Sequence, residues 1–126
     1  PTTTKRRAPD ARGVNAKRGE RAALDLVGLA QRAGRLAVGT HAVKDAARVG
    51  ELEAVVLARD ATENARERVL PLLGALGVPV VLCDSAAELG RAVGRPRLVV
   101  VGLKDAGFAG RVLAALPPAS RAETKN

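Results

Sequence analysis

Tryptophan, tyrosine and methionine are absent from this sequence, and cysteine, histidine and phenylalanine occur once each. A lone Cys83 excludes an intrachain disulfide and any cysteine-based metal cluster. With Phe108 as the sole aromatic side chain, the chain lacks the stacking platforms of RNA-recognition-motif and OB-type binders. No apolar run approaches the roughly 18 residues of a membrane helix, and residues 1–20 lack the apolar stretch of a signal peptide. The expected location is the cytoplasm, or a ribosome within it, with no membrane partner. Enzymatic signatures are missing as well: there is no G-x-G-x-x-G, no G-x-x-x-x-G-K-[ST] and no H-x-x-x-H. His41 and Cys83 are a conceivable base and nucleophile, but a buried structural cysteine is the commoner use of a residue ending an apolar run. Glu51 and Glu53 flank a turn and read as solvated loop charges. The residue set therefore predicts no enzyme, no cofactor and no metal.

Alanine, valine and leucine supply nearly all of the 47% hydrophobic content. Side chains of that size favour thin layers, with helices laid closely on a sheet. The net charge of +8 is unevenly placed. Residues 1–21 carry Lys5, Arg6, Arg7, Arg12, Lys17, Arg18 and Arg21 against Asp10 and Glu20, seven charges against two, a net of +5. Residues 22–117 hold 12 basic and 10 acidic side chains and are nearly balanced. A basic arm on a near-neutral domain suits a polyanion, most often nucleic acid; the alternative is a solubilising tail.

The composition predicts three parts: a disordered basic arm over 1–19, one domain over 20–116, and a disordered tail over 117–126. The two ends are too polar to offset chain entropy by burial. Between them helical and strand signals alternate. "RAALDLVGLAQRAG" puts Ala23, Leu26, Val27, Ala30 and Ala33 on one face, with Gly34 as its stop. "RLAV" is a short strand, and Thr40 is positioned to cap a second helix ending near Gly50. "EAVVLA" is a buried strand, and Asp60 with Glu63 predicts a capping box for a third helix, which Pro71 should kink or split. "VPVVLC", a helix capped by Ser85 with Glu88, "RLVVVGL" and "DAGFAGRVLAAL" complete an α-β-α-β-α-β-α-β-α order. Such alternation implies a sheet between two helical layers. The expected fold class is α/β, a three-layer α/β/α sandwich with a four-stranded mixed sheet.

"GLAQRAGRLAVGTHAV", "AVVLARDATEN", "VPVVLCDSAAELGRAVG" and "VVVGLKDAGFA" follow one another in register over roughly residues 22–115. Together with the proline-bearing "VLPLL", they resemble the kink-turn-binding ribosomal protein family, and within it a small bacterial YlxQ-like branch. The resemblance implies the same three-layer sandwich and binding of structured RNA, such as ribosomal RNA or a ribosome-assembly intermediate, by a monomer. Family members that read kink-turns carry glycine, then asparagine and glutamate, then a lysine one turn later, at the start of the second helix. Here Gly39 is kept, while His41, Ala42 and Asp45 stand at the other three positions. In the loop before the fourth helix, Asp84 and Ala86 stand where basic residues are common. The resemblance thus implies an RNA role without strong kink-turn selectivity.

Read physically, Gly39 and Thr40 at a helix start offer backbone N–H groups and a dipole to a phosphate. His41, Lys44 and Arg48 are spaced i, i+3, i+7 and can share one face. The alternative is an ordinary surface helix with His41 paired to Asp45. If the strands before "ARDAT" and "CDS" run parallel, those loops emerge at the carboxyl edge of the sheet, and the resemblance makes Arg59 and Ser85 contacts. Arg35 and Arg91 extend the expected basic surface, as would Arg97; Arg95 reads better as a solvated complement to a helix end. The leading expectation is a structured-RNA binder, with ribosome or ribosome-assembly proteins as possible neighbours. The competing one is a protein-interaction module on the same fold. A third, the RNA-positioning domain of a modifying enzyme, would need a catalytic domain that these 126 residues do not contain.

Overall fold

In the computed structural model, residues 8–119 are described, with side chains from Arg18 onward. The elements are α1 (Ala8–Arg32), β1 (Leu36–Val38), α2 (Thr40–Arg48), β2 (Ala54–Ala58), α3 (Glu63–Leu76), β3 (Val80–Cys83), α4 (Ala86–Ala92), β4 (Val100–Leu103) and α5 (Ala106–Ala115). The strands form one mixed sheet in the order β1-β4-β2-β3. β2 and β3 are parallel, whereas β4 runs antiparallel to both β1 and β2. The expected α/β/α sandwich with a four-stranded mixed sheet is what the chain forms.

Period-two alternation along the strands sorts the core into two sheets of side chains. Val55 and Leu57 face α2 and α3, packing with Val43, Val69 and Leu73. Ala54, Val56 and Ala58 face the opposite way, towards Ala23, Val27 and Ala30 of α1, Leu89 of α4 and Val112 of α5. β2 is buried along its whole length, which is why its sequence is a continuous apolar run and does not alternate with polar residues. Each fully buried valine or leucine contributes about 1.5–3 kcal/mol of transfer free energy, and no polar side chain interrupts them: no described polar or charged residue is buried.

Small side chains also set the helix spacing. A Cβ on Gly19 would lie 2.8 Å from the Ala115 carbonyl oxygen, and one on Gly28 would lie 2.9 Å from that of Ala92. These two glycines let α1 touch the backbones of α5 and α4. α1 begins at Ala8, inside the segment whose composition predicts disorder, so that expectation is corrected from Ala8 onward; residues 1–7 lie outside the described residues. Burial is needed to start a helix in a domain, but a helix already nucleated extends at little cost through Ala-, Arg- and Lys-rich sequence.

Other boundaries differ for identifiable reasons. Thr62, not Asp60, caps α3, its hydroxyl accepting from Ala65 N–H at 3.1 Å. Pro71 lies within α3, which continues to Leu76 as a single helix. Residues 117–119 leave the expected disordered tail and pair with β3: Leu82 N–H donates to the Pro117 carbonyl and Ala119 N–H donates to that of Val80, each at 2.8 Å. Pro118, opposite Val81 in this bridge, turns its backbone outward and has no N–H there, so the ladder cannot continue. Residues 120–126 lie outside the described residues.

Two outcomes follow. Gly28→Ala should destabilise the fold by about 1–3 kcal/mol through overpacking against a carbonyl, measured by urea unfolding, whereas Gly110→Ala, with open space at its Cβ, should be neutral or mildly stabilising. Deleting residues 117–126 should lower stability and produce concentration-dependent self-association in light scattering, because the edge of β3 is then unpaired; a truncated chain that stays monomeric and equally stable would show that the strap contributes nothing.

Candidate nucleic-acid interface

Because β4 opposes β1 and β2, and β3 runs with β2, the strands β1, β2 and β3 all end on one edge of the sheet, where β4 begins. That edge carries Gly39, the loop Arg59–Thr62, the turn Asp84–Ser85 and the end of the loop from Gly94 to Val99. Backbone hydrogen bonds knit these segments together. Gly39 N–H donates to the Val100 carbonyl at 3.0 Å, Ala58 N–H to that of Val99 at 2.9 Å, and Arg59 N–H to that of Cys83 at 2.9 Å. The parallel pairing that the loop argument required is present between β2 and β3.

At the start of α2 the capping residue is Gly39, with φ 93° and ψ 164°, and no side chain caps the helix. That backbone region is open essentially to glycine alone, so Gly39 is fixed by conformation. Thr40 is the first helical residue and not the cap it was expected to be. The opening amides of α2 are therefore without a side-chain acceptor, which favours an anion at that position.

His41 is almost fully exposed, its side chain 94% accessible, and its Nε2 lies 3.3 Å from Asp45. Arg48 reaches the same carboxylate at 3.5 Å. Thus the ordinary pairing of His41 with Asp45 is realised, and Asp45 draws two of the three candidate groups of this face together. Exposed pairs of this kind are worth about 0–1 kcal/mol, so a stronger anion can displace Asp45. Lys44, half-buried, makes no ion pair among the described residues.

Asp60 and Ser85 are engaged within the fold. Asp60 Oδ1 accepts from Ala86 N–H at 2.8 Å, tying the β2–α3 loop to the start of α4, and Oδ2 lies 4.0 Å from Arg97. Ser85 caps α4 as expected, accepting from Glu88 N–H at 3.2 Å. Arg59, exposed, sits at the edge, and its carbonyl accepts from Arg66 Nη2 at 2.6 Å. Arg66 also donates to the Ala61 carbonyl at 3.3 Å, clasping the loop from one turn inside α3. The sequence reading missed Arg66, because nothing in the spacing shows that a helical arginine folds back onto its own entry loop.

Arg97 reaches the edge because the α4–β4 loop doubles back along α4. Leu98 N–H donates to the Ala86 carbonyl at 3.0 Å, and Gly90 leaves room for this return: a Cβ there would be 2.7 Å from the Arg95 carbonyl oxygen. Arg35 and Arg91 are not brought to the same place. Arg35 precedes β1, at the opposite edge of the sheet, where it lies 3.8 Å from Asp105. Arg91 is on the second turn of α4, paired with Glu88 at 3.7 Å and turned towards α1.

Cys83 is fully buried, and burial pushes its thiol up to about 12, so it holds its proton at neutral pH. Glu20 accepts from Asp84 N–H at 2.8 Å, and partial burial raises its carboxyl above the ordinary range. Among the described residues no group of three His, Cys, Asp or Glu side chains is placed to hold a metal ion, and no described helix is long and apolar enough to cross a membrane.

Residues 21–112 match the model of the ribosomal protein L7Ae/L30e/S12e/Gadd45 family. The chain is 34% identical over 91 residues to the RNA-binding protein YlxQ of Bacillus subtilis (strain 168), covering 72% of this chain and 91% of that protein. It is 37% identical over 87 residues to the RNA-binding protein YlxQ of Enterococcus faecium, covering 69% and 84%. Among solved structures, a Bacillus halodurans protein of unknown function superposes with a TM-score of 0.70 at 36% identity, over 74% of this chain and 94% of that one. The Giardia lamblia 15.5kD RNA binding protein shares the fold, with a TM-score of 0.64 at 23% identity over 73% and 82%. A family match spanning most of the sandwich, relatives above 30% identity over most of the same stretch, and a shared fold together establish that the chain belongs to the ribosomal protein L7Ae/L30e/S12e/Gadd45 family.

Proposed function

We propose that this protein is a non-enzymatic RNA-binding protein that takes structured RNA, such as ribosomal RNA or a ribosome-assembly intermediate, on the edge formed by Gly39, the start of α2 and the adjacent strand-to-helix loops. The observation that carries the reading is the convergence of the side-chain-free start of α2 with the Arg59 and Arg97 loops on one hydrogen-bonded edge, in a chain whose relatives include RNA-binding proteins. Lys44 and Arg48 supply phosphate contacts, His41 offers a hydrogen bond to a base edge or ribose, and the basic N-terminal segment adds sequence-independent attraction. Such a partner places the protein in the cytoplasm, on or near the ribosome.

The competing reading, a protein-interaction module on the same fold, is favoured by one observation: Asp45 sits on the exposed face between His41 and Arg48 and partly cancels the charge of Arg48. Lys44→Glu separates the two. It should weaken RNA binding while changing stability by under about 0.5 kcal/mol, as read by a titration alongside thermal unfolding. RNA binding at parental strength in both Lys44→Glu and His41→Ala would show that the edge is not the RNA face.

Selectivity has its own test. Ala42 offers no hydrogen-bond acceptor, and Asp45 offers a carboxylate where an RNA reader needs a cation. The parent should prefer a standard kink-turn over a straight duplex of equal length by less than about tenfold, or 1.4 kcal/mol. The triple change His41→Asn, Ala42→Glu, Asp45→Lys should raise that preference when both RNAs are titrated at one salt concentration. Strong selectivity in the parent would mean that other residues do the reading.

A further inference from the structure

A groove of about 1260 Å³ runs along the outer side of α1, between that helix, α4 and the end of β3. Five arginines from three elements line it: Arg18, Arg21 and Arg32 of α1, Arg59 of the β2–α3 loop and Arg91 of α4. Resting on the RNA-binding reading above, we propose that this groove carries the phosphodiester backbone of a single RNA strand leaving the loop edge.

Continuity is the first argument. Arg59 and Asp84 belong both to the loop edge and to the groove wall, so a strand held at the edge needs no gap to enter. α1 points the same way: its last turn leads into β1 at the far edge, and Glu20 hydrogen-bonds Asp84 at the near one. The turns of α1 before Glu20, described from Ala8 onward, therefore rise past the loop edge.

Charge is the second. Four carboxylates share the groove, Glu20, Asp25, Asp84 and Glu88, so its excess is small. Two of them are already engaged: Glu20 with the Asp84 amide and Glu88 with Arg91. Among the described residues, Arg18, Arg21 and Arg32 have no carboxylate partner. They span about 21 Å of helix at 1.5 Å per residue, with Asp25 alone between them on the same stripe.

Shape and the missing aromatics decide the kind of RNA contact. α1 and α4 meet directly at Gly28 and Ala92, which floor the groove, and its volume of about 1260 Å³ suits one strand better than a duplex. With no aromatic residue in its lining, it cannot stack bases, and the backbone is what it can hold. Binding there is independent of sequence and steeply dependent on salt.

The test uses the full-length chain, one hairpin RNA with a single-stranded extension and the same hairpin without it. Replacing Arg18, Arg21 and Arg32 together by Gln should lower affinity for the extended RNA and reduce the slope of log affinity against log salt by about 2, at roughly 0.7 per single-strand contact. Affinity for the bare hairpin should change little. Asp25→Asn should act in the opposite direction and tighten the extended RNA selectively. Circular dichroism and thermal unfolding establish that each variant is folded. If affinity and slope are unchanged on both RNAs while Lys44→Glu weakens both, the groove is not an RNA surface and the proposal is overturned. If the parent itself binds neither RNA, the functional reading has failed and the groove proposal fails with it.

Discussion

β4 enters the sheet between β1 and β2 and runs against both, and its backbone hydrogen bonds decide where every other loop emerges. An antiparallel strand in that position forces β1 and β2 to point the same way. β3, parallel to β2, joins them. The carbonyls of Val99 and Val100 then accept from Ala58 and Gly39, so the first residues of β4 bind the exits of its two neighbours. The candidate interface is thus a property of strand order more than of any one side chain. Backbone bonds hold the strand exits there, and the side chains of Asp60 and Arg66 hold the loop between them.

A core built from alanine, valine and leucine has a second consequence. Close-packed interiors tolerate few voids, and small side chains fill space only when helices approach their neighbours closely. Gly19, Gly28 and Gly90 make three such approaches possible, each against a carbonyl or main-chain segment of another element. The same economy leaves the charged residues outside. The ion pairs described are all between exposed or half-exposed groups, and each contributes little to stability. Their arginines and lysines are therefore available to a stronger anion at modest cost.

Much of the architecture was legible in the residues. The nine elements, their order and the two-layered burial follow from hydrophobic period and from capping at Ser85. Helix starts were legible only in part. Asp60, three residues before Glu63, was expected to cap α3; Thr62 does so instead, and only the position of α4 shows that Asp60 is used across the fold, at Ala86. Thr40 was taken for a cap because threonine usually is one, but the left-handed φ of Gly39 moves that role by one residue. Regular backbone structure reaches further than composition suggests, to Ala8 and to Ala119, because composition weighs burial and is blind to backbone pairing and to helix propagation. For the site, spacing along α2 placed His41, Lys44 and Arg48 together, whereas Arg35 required knowledge of which edge of β1 it faces. Arg66 folds back from α3 onto its own entry loop, and Arg97 reaches the edge on a returning loop; no local pattern encodes either contact.

The strap at Pro117–Ala119 and the seat of α5 against Gly19 have a bearing on how the chain is made. The first helix and the last elements close on each other, and β3 waits for the final described residues to complete its outer edge. During synthesis, which proceeds from the N-terminus at about 5–20 residues per second, α1 emerges long before its partners. Its apolar face, Ala23, Val27 and Ala30, is covered only in part until α5 follows. Contacts between the two ends of a chain delay folding, because the whole intervening loop must close first. The domain therefore completes itself only after nearly all of its described residues have been made.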